Sequence, residues 1–101
     1  MVDELDPVIH VQARLRIVTA LDTLKPGDSL SFPRLQSLLN VTSGNLATHL
    51  RRLEESGYVK VEKVLEGRAP VTYISLTDDG RHAFRVYKKN LRALLEQPSV
   101  T

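Results

Sequence analysis

Apolar residues recur every three or four positions up to Leu53, every second position from Tyr58 to Thr77, and every three or four again to Leu95. Two leucine-lined segments separated by a short turn stand immediately before the first change of period. Together these predict a mainly α fold with a small β-hairpin (α+β), a winged helix-turn-helix with an added C-terminal dimerisation helix. At 101 residues the chain has material for one modest core, so residues 1–101 are read as a single domain.

The first element is predicted over residues 7–24, with Pro7 in the first turn after Asp6. It carries two apolar stripes. Ala13, Ile17, Leu21 and Leu24 mark one face and Val8, Val11, Leu15 and Val18 nearly the opposite one. The first stripe suits the domain's own core; the second wants another partner.

"KPGDS" at 25–29 reads as a turn. A brief extended piece at Leu30–Phe32 follows, then a short helix from near Pro33 with Leu35, Leu38 and Leu39 inward and Asn40 as its stop. In "VTSGNLATHLRRLEESGYV", residues 41–59, Thr42 is an N-cap and Gly57 a left-handed terminus. Leu46, Leu50 and Leu53 make the buried face, Gly44, Asn45, Thr48, Arg51 and Arg52 project away, and His49 lies on the border.

"YVKVEKVLE" and "VTYISLT" are rich in β-branched residues and flank "GRAP", so they read as an antiparallel hairpin with Gly67–Pro70 at its tip. Thr77 caps a last helix over 78–96, with Asp78 and Asp79 where the helix dipole favours negative charge. Phe84, Tyr87, Leu91, Leu94 and Leu95 form one apolar seam along it. This seam and the Val8, Val11, Leu15 and Val18 stripe could close over each other within one chain. So small a domain has little left to cover both, which favours a homodimer joined through 7–24 and 78–96.

Several functions are disfavoured by what the residues lack. There is no cysteine, which removes disulfides, thiolate chemistry and cysteine metal sites. His10, His49 and His82 share no ligand spacing, so no metal and no cofactor is expected. No Ser-His-Asp set, glycine-rich phosphate loop or clustered carboxylate pair is present, and helix capping accounts for Asp78 and Asp79; an enzyme is not expected. "MVDELDPV" has no basic patch followed by an apolar run, and no segment approaches the roughly 20 apolar residues of a membrane span, so no membrane partner and a cytoplasmic location are expected.

Net charge is only +2, so its distribution must decide whether phosphate is a partner. The second helix of a helix-turn-helix enters the DNA major groove. At its start stand Thr42, Ser43, Asn45 and Thr48, short polar groups able to reach bases or phosphates, and Arg51 and Arg52 a turn on suit the backbone. The bland alternative for the arginines is a solvated face paired with Glu54 and Glu55, and for Arg68 a soluble hairpin tip.

"LNVTSGNLATHLRRLEESGYVKVEK" and "GRAPVTYISLTDDGRHAF" resemble small winged-helix transcriptional regulators related to the MarR group, those built from little beyond the DNA-binding domain. The resemblance covers roughly residues 6–95. It implies a homodimeric regulator of transcription with the helix from Thr42 in the major groove and the hairpin on the minor groove or adjacent phosphates. Thr42, Ser43, Asn45, Thr48, His49 and Arg52 match recognition-helix contacts and Arg68 the basic residue of the wing tip, while Arg34 suits a phosphate. Lys63 completes the expected DNA-facing set, although Glu62 and Glu66 share its hairpin. The expected partners are thus double-stranded DNA and a second copy, and a small-molecule effector is left open because no residue identifies one. The rival reading is a winged-helix protein–protein interaction module without DNA binding.

Overall fold

The computed structural model describes residues 4–98; residues 1–3 and 99–101 of the expected domain lie outside them. The elements are α1 (Gln12–Asp22), β1 (Leu30–Ser31), α2 (Phe32–Leu39), α3 (Ser43–Glu55), β2 (Val59–Glu66), β3 (Ala69–Leu76) and α4 (Asp78–Leu95). Their order is the predicted one. All three strands pair antiparallel in the order β1-β3-β2, with β1 meeting the inner end of β3 through Leu30–Ile74 and Ser31–Tyr73.

Three hydroxyls start three helices. Ser31 Oγ accepts from the Arg34 amide at 3.3 Å, Thr42 Oγ1 from Asn45 at 3.1 Å and Thr77 Oγ1 from Gly80 at 2.9 Å. Each satisfies an amide that has no partner within its helix. Asn40 closes α2 in the left-handed region at φ 54°, and its amide donates to the carbonyl of Gln36. An eight-residue helix such as α2 is too short to persist alone in water. Burial of Leu35 and Leu39 at about 1.5–3 kcal/mol each holds it in place.

The predicted first helix is shorter at its N-terminal end. Asp6 Oδ1 accepts from the Val8 amide at 2.8 Å, which folds residues 7–10 into a turn, and Val11 is extended at φ −135°, so helix begins only at Gln12. Leu38, expected inward, is 54% exposed because the inward face of so short a helix is filled by Leu35 and Leu39. Phe32 opens α2 rather than ending the strand before it.

Four residues expected to face a second copy are buried inside the chain: Val8, Val18, Phe84 and Tyr87. The reason is that α1 lies against α2, α3, β3 and α4, which covers Val18, while the turn before it folds Val8 back onto the chain and sets His10 Nδ1 2.8 Å from the Tyr87 hydroxyl of α4. Ile9, fully buried, joins the same core from the turn before α1. Val11, Leu15 and Leu91 remain half-buried, and Leu94 and Leu95 are exposed.

Gly80 marks the closest approach of α4 to the sheet. A Cβ there would collide with the Tyr58 carbonyl oxygen, which already accepts from the Thr77 amide at 3.0 Å. Arg81 and Lys88 reach from α4 to the Asp22 carboxylate at 2.9 and 3.6 Å and tie it to the end of α1.

Candidate nucleic-acid interface

Leu46, Leu50 and Leu53 are buried and fix the rotation of α3, so the opposite side is settled by the 3.6-residue period. Thr42, Ser43, Gly44, Asn45, Ala47, Thr48, Arg51 and Arg52 are exposed along it. Two of these hydroxyls are already engaged. Thr42 accepts from the Asn45 amide, leaving its own proton to donate outward, and Thr48 Oγ1 donates to the Gly44 carbonyl at 2.9 Å, leaving its lone pairs to accept. The pair thus presents one donor and one acceptor six residues apart, nearly two turns of helix.

His49 is not part of that open face. It is half-buried, and its Nδ1 lies 3.4 Å from Arg14 Nη1 on α1; Arg14 Nε also donates to the Val8 carbonyl at 2.6 Å. A cavity of about 80 Å³ lies between α1 and the start of α3, lined on its polar side by Arg16, Asn45 and His49. Arg16 itself donates to the Leu39 carbonyl at 2.8 Å, capping the end of α2. Arg14 and Arg16 therefore orient the helix pair from behind. No sequence signal separated them from solvated arginines, since their partners are backbone carbonyls distant in the chain.

Arg51 and Lys63 come together in a groove of about 280 Å³ between α3 and the hairpin, with Glu54, Val61 and Thr72. Among the described residues the ion pairs are Lys60–Glu62, Arg81–Asp22 and Lys88–Asp22, so neither Arg51 nor Arg52 pairs with Glu54 or Glu55.

The hairpin sorts its charges by strand parity. Val59, Val61, Lys63 and Leu65 share the side of the sheet that faces α3, opposite Leu76, Ile74, Thr72 and Pro70. Lys60, Glu62 and Glu66 point the other way; Lys60 pairs with Glu62 at 3.4 Å, and the Tyr73 hydroxyl donates to Glu66, which raises the Tyr73 pKa. Acids that composition alone sets beside Lys63 thus stand on the far side.

The turn is shorter than expected. Only Gly67 and Arg68 lie outside the ladder, while Ala69 and Pro70 pair with Glu66 and Leu65. Gly67 has φ 63° and Arg68 a negative φ, the pattern of a two-residue connection with glycine first. Arg68 is exposed at the tip, and Arg34 is exposed on the first turn of α2; neither lines the groove that holds Arg51 and Lys63.

Residues 13–95 match the model of a family described as the winged helix DNA-binding domain. The chain belongs to that family. This winged-helix chain is 47% identical over 81 residues to an uncharacterized protein of Methanocaldococcus jannaschii, covering 79% of this chain and 84% of that one. It is 30% identical over 86 residues to an uncharacterized HTH-type transcriptional regulator of Bacillus subtilis, covering 85% of this chain and 50% of that one. Among solved structures, a transcriptional regulator homologue from Pyrococcus horikoshii OT3 superposes with a TM-score of 0.79 at 32% identity, covering 88% of this winged-helix chain and 85% of that one. The resemblance to small winged-helix transcriptional regulators is borne out.

No group of three or more His, Cys, Asp or Glu side chains among the described residues could hold a metal ion. No helix among them is long and apolar enough to cross a membrane.

Proposed function

We propose that this chain is a sequence-specific transcriptional regulator that binds double-stranded DNA as a homodimer, with α3 in the major groove and the hairpin on the minor groove or backbone. The observation that carries the reading is the continuity of one surface. The open polar face of α3 runs through Arg51 into the groove that Lys63 shares, while Glu62 and Glu66 are turned away. Short polar groups at the start of α3 suit base edges, and the arginines a turn later suit phosphates.

The dimer surface in this reading is Val11, Leu15, Leu91, Leu94 and Leu95, since Val8, Val18, Phe84 and Tyr87 are spent on the chain's own core. Leu95, 75% exposed at the end of α4, is the strongest support for a partner there. Two copies would place two α3 helices about 34 Å apart and select a pseudo-palindromic site.

Fluorescence anisotropy on a mixed duplex pool at rising salt tests the binding. Steeply salt-dependent association, lost in Asn45→Ala with Arg52→Ala, is expected; no association of the wild type at low salt overturns the reading. Sedimentation of Leu95→Lys against wild type tests the dimer, and a wild type that sediments as a monomer both alone and on DNA overturns that part.

A further inference from the structure

Leu65 is 75% exposed, although the strand period places it on the same side of the hairpin as Val61 and Lys63, the side that faces α3. Its cross-strand partner is Pro70, also exposed. Counted from the closing pair Glu66–Ala69, Leu65–Pro70 is a non-hydrogen-bonded pair, in which side chains of an antiparallel ladder stand closest together. Pro70 therefore forfeits no ladder bond, and β1 pairs only with Tyr73 and Ile74, well short of it. The outer hairpin thus ends in a bare apolar pair with Lys63 behind it and Arg68 in front.

An exposed leucine beside an exposed proline on a two-stranded ribbon contributes nothing to the core and invites aggregation. What could cover it must accept apolar side chains and be anionic on both flanks, because Lys63 and Arg68 bracket the pair and the hairpin's acids lie on the other face. The minor groove of double-stranded DNA has that chemistry: sugar walls, base edges and two rows of phosphates.

We infer that Leu65 and Pro70 form a wedge that the hairpin presses into the minor groove, bending the duplex, with Arg68 reaching along the groove and Lys63 on its phosphate wall. The inference rests on the DNA-binding reading and deepens it. Leu and Pro are among the side chains that unstack base steps from the minor groove, with kinks of roughly 20–90° toward the major groove. Flexible pyrimidine–purine steps bend most cheaply, so the wedge supplies sequence preference at base pairs that α3 does not touch.

The test is end-to-end energy transfer on a short duplex, recovered by selection on the wild-type chain and labelled at both ends, read alongside its affinity at several salt concentrations. Leu65→Thr with Pro70→Thr keeps strand propensity and removes no cation. It is expected to leave the melting temperature and the salt slope unchanged, to abolish the bend and to weaken binding several-fold, most on duplexes with a pyrimidine–purine step beneath the wedge. A wild type that binds without bending, or a double variant that bends the duplex equally, overturns the wedge and leaves the DNA reading standing. A wild type that binds no duplex overturns both. Self-association of the wild type that disappears in the double variant without DNA assigns the pair to a second copy and overturns the wedge.

Discussion

The Tyr58 hydroxyl donates to Asp6 Oδ2 at 2.5 Å, joining residues 52 apart in the chain. The other oxygen of the same carboxylate holds the turn at residues 7–10 through the Val8 amide. One side chain thus shortens the first helix and fastens the resulting turn to the start of the hairpin. Tyr58→Phe is expected to cost about 1–2 kcal/mol at neutral pH, the range for a hydrogen bond to a charged acceptor that stays partly hydrated. Thermal melts check this, and an unchanged midpoint would show that the bond adds nothing to stability.

The same pair carries a pH dependence. Burial first, and then the hydrogen bond and charge of Asp6, push the Tyr58 phenol from 10 up to about 12. The folded state holds this proton more tightly than the unfolded chain. Its contribution is therefore complete below pH 10 and is lost as the pH rises through about 12. The stability gap between wild type and Tyr58→Phe should close over that window; a gap that stays constant there counts against the coupling.

Arg51→Ala with Lys63→Ala removes the two cations of the groove between α3 and the hairpin. Both side chains are exposed, so the melting temperature should change little. The slope of log affinity against log salt should fall by about 1 per cation that meets a phosphate. Titrations at several salt concentrations measure it, and an unaltered slope would remove these residues from the interface.

Thr42→Ala should destabilise the chain by about 1 kcal/mol through loss of the α3 cap, and Thr42→Ser should restore it. If Thr42 also donates to DNA, the serine variant restores affinity along with stability. An alanine variant with full affinity would confine the residue to capping.

Gly80→Ala forces a Cβ against the Tyr58 carbonyl and within 2.9 Å of Leu76 Cδ1. Overpacking of this kind costs about 1–3 kcal/mol, and the α4–sheet junction has backbone on the crowded side. Chemical denaturation should show the loss, and a wild-type midpoint would mean that α4 can shift freely at this point.

Most of the fold was legible because its signals are local. The caps at Thr42 and Thr77, the stop at Asn40 and the change to a period of two are each decided within a few residues. The first helix misled because Pro7 and the valines behind it satisfy a helical pattern, while the Asp6 carboxylate that diverts them is held by Tyr58 from far along the chain. The partition of Val8, Val18, Phe84 and Tyr87 was hidden for a similar reason. Periodicity shows that a face is apolar but not whether the cover comes from the same chain. For the candidate site, the outward residues of α3 follow from helical period, whereas the engagement of His49 by Arg14 depends on tertiary placement. The exposure of Leu65 could have been suspected, since alternation sets it in line with Lys63 and beyond the last residue that could reach the core.

The sorting of hairpin charges by parity makes the sign of this surface a matter of reading frame. Insertion of one residue in β2 between Val59 and Lys63 would leave the net charge and the local composition almost untouched. It would carry Lys63 and Leu65 to the far side of the ribbon and bring Glu66 round to the side that faces α3. Two chains with the same isoelectric point could then differ in whether they attract or repel a polyanion at this edge. An indel in this ribbon is therefore a more drastic electrostatic change than the substitution of a single lysine.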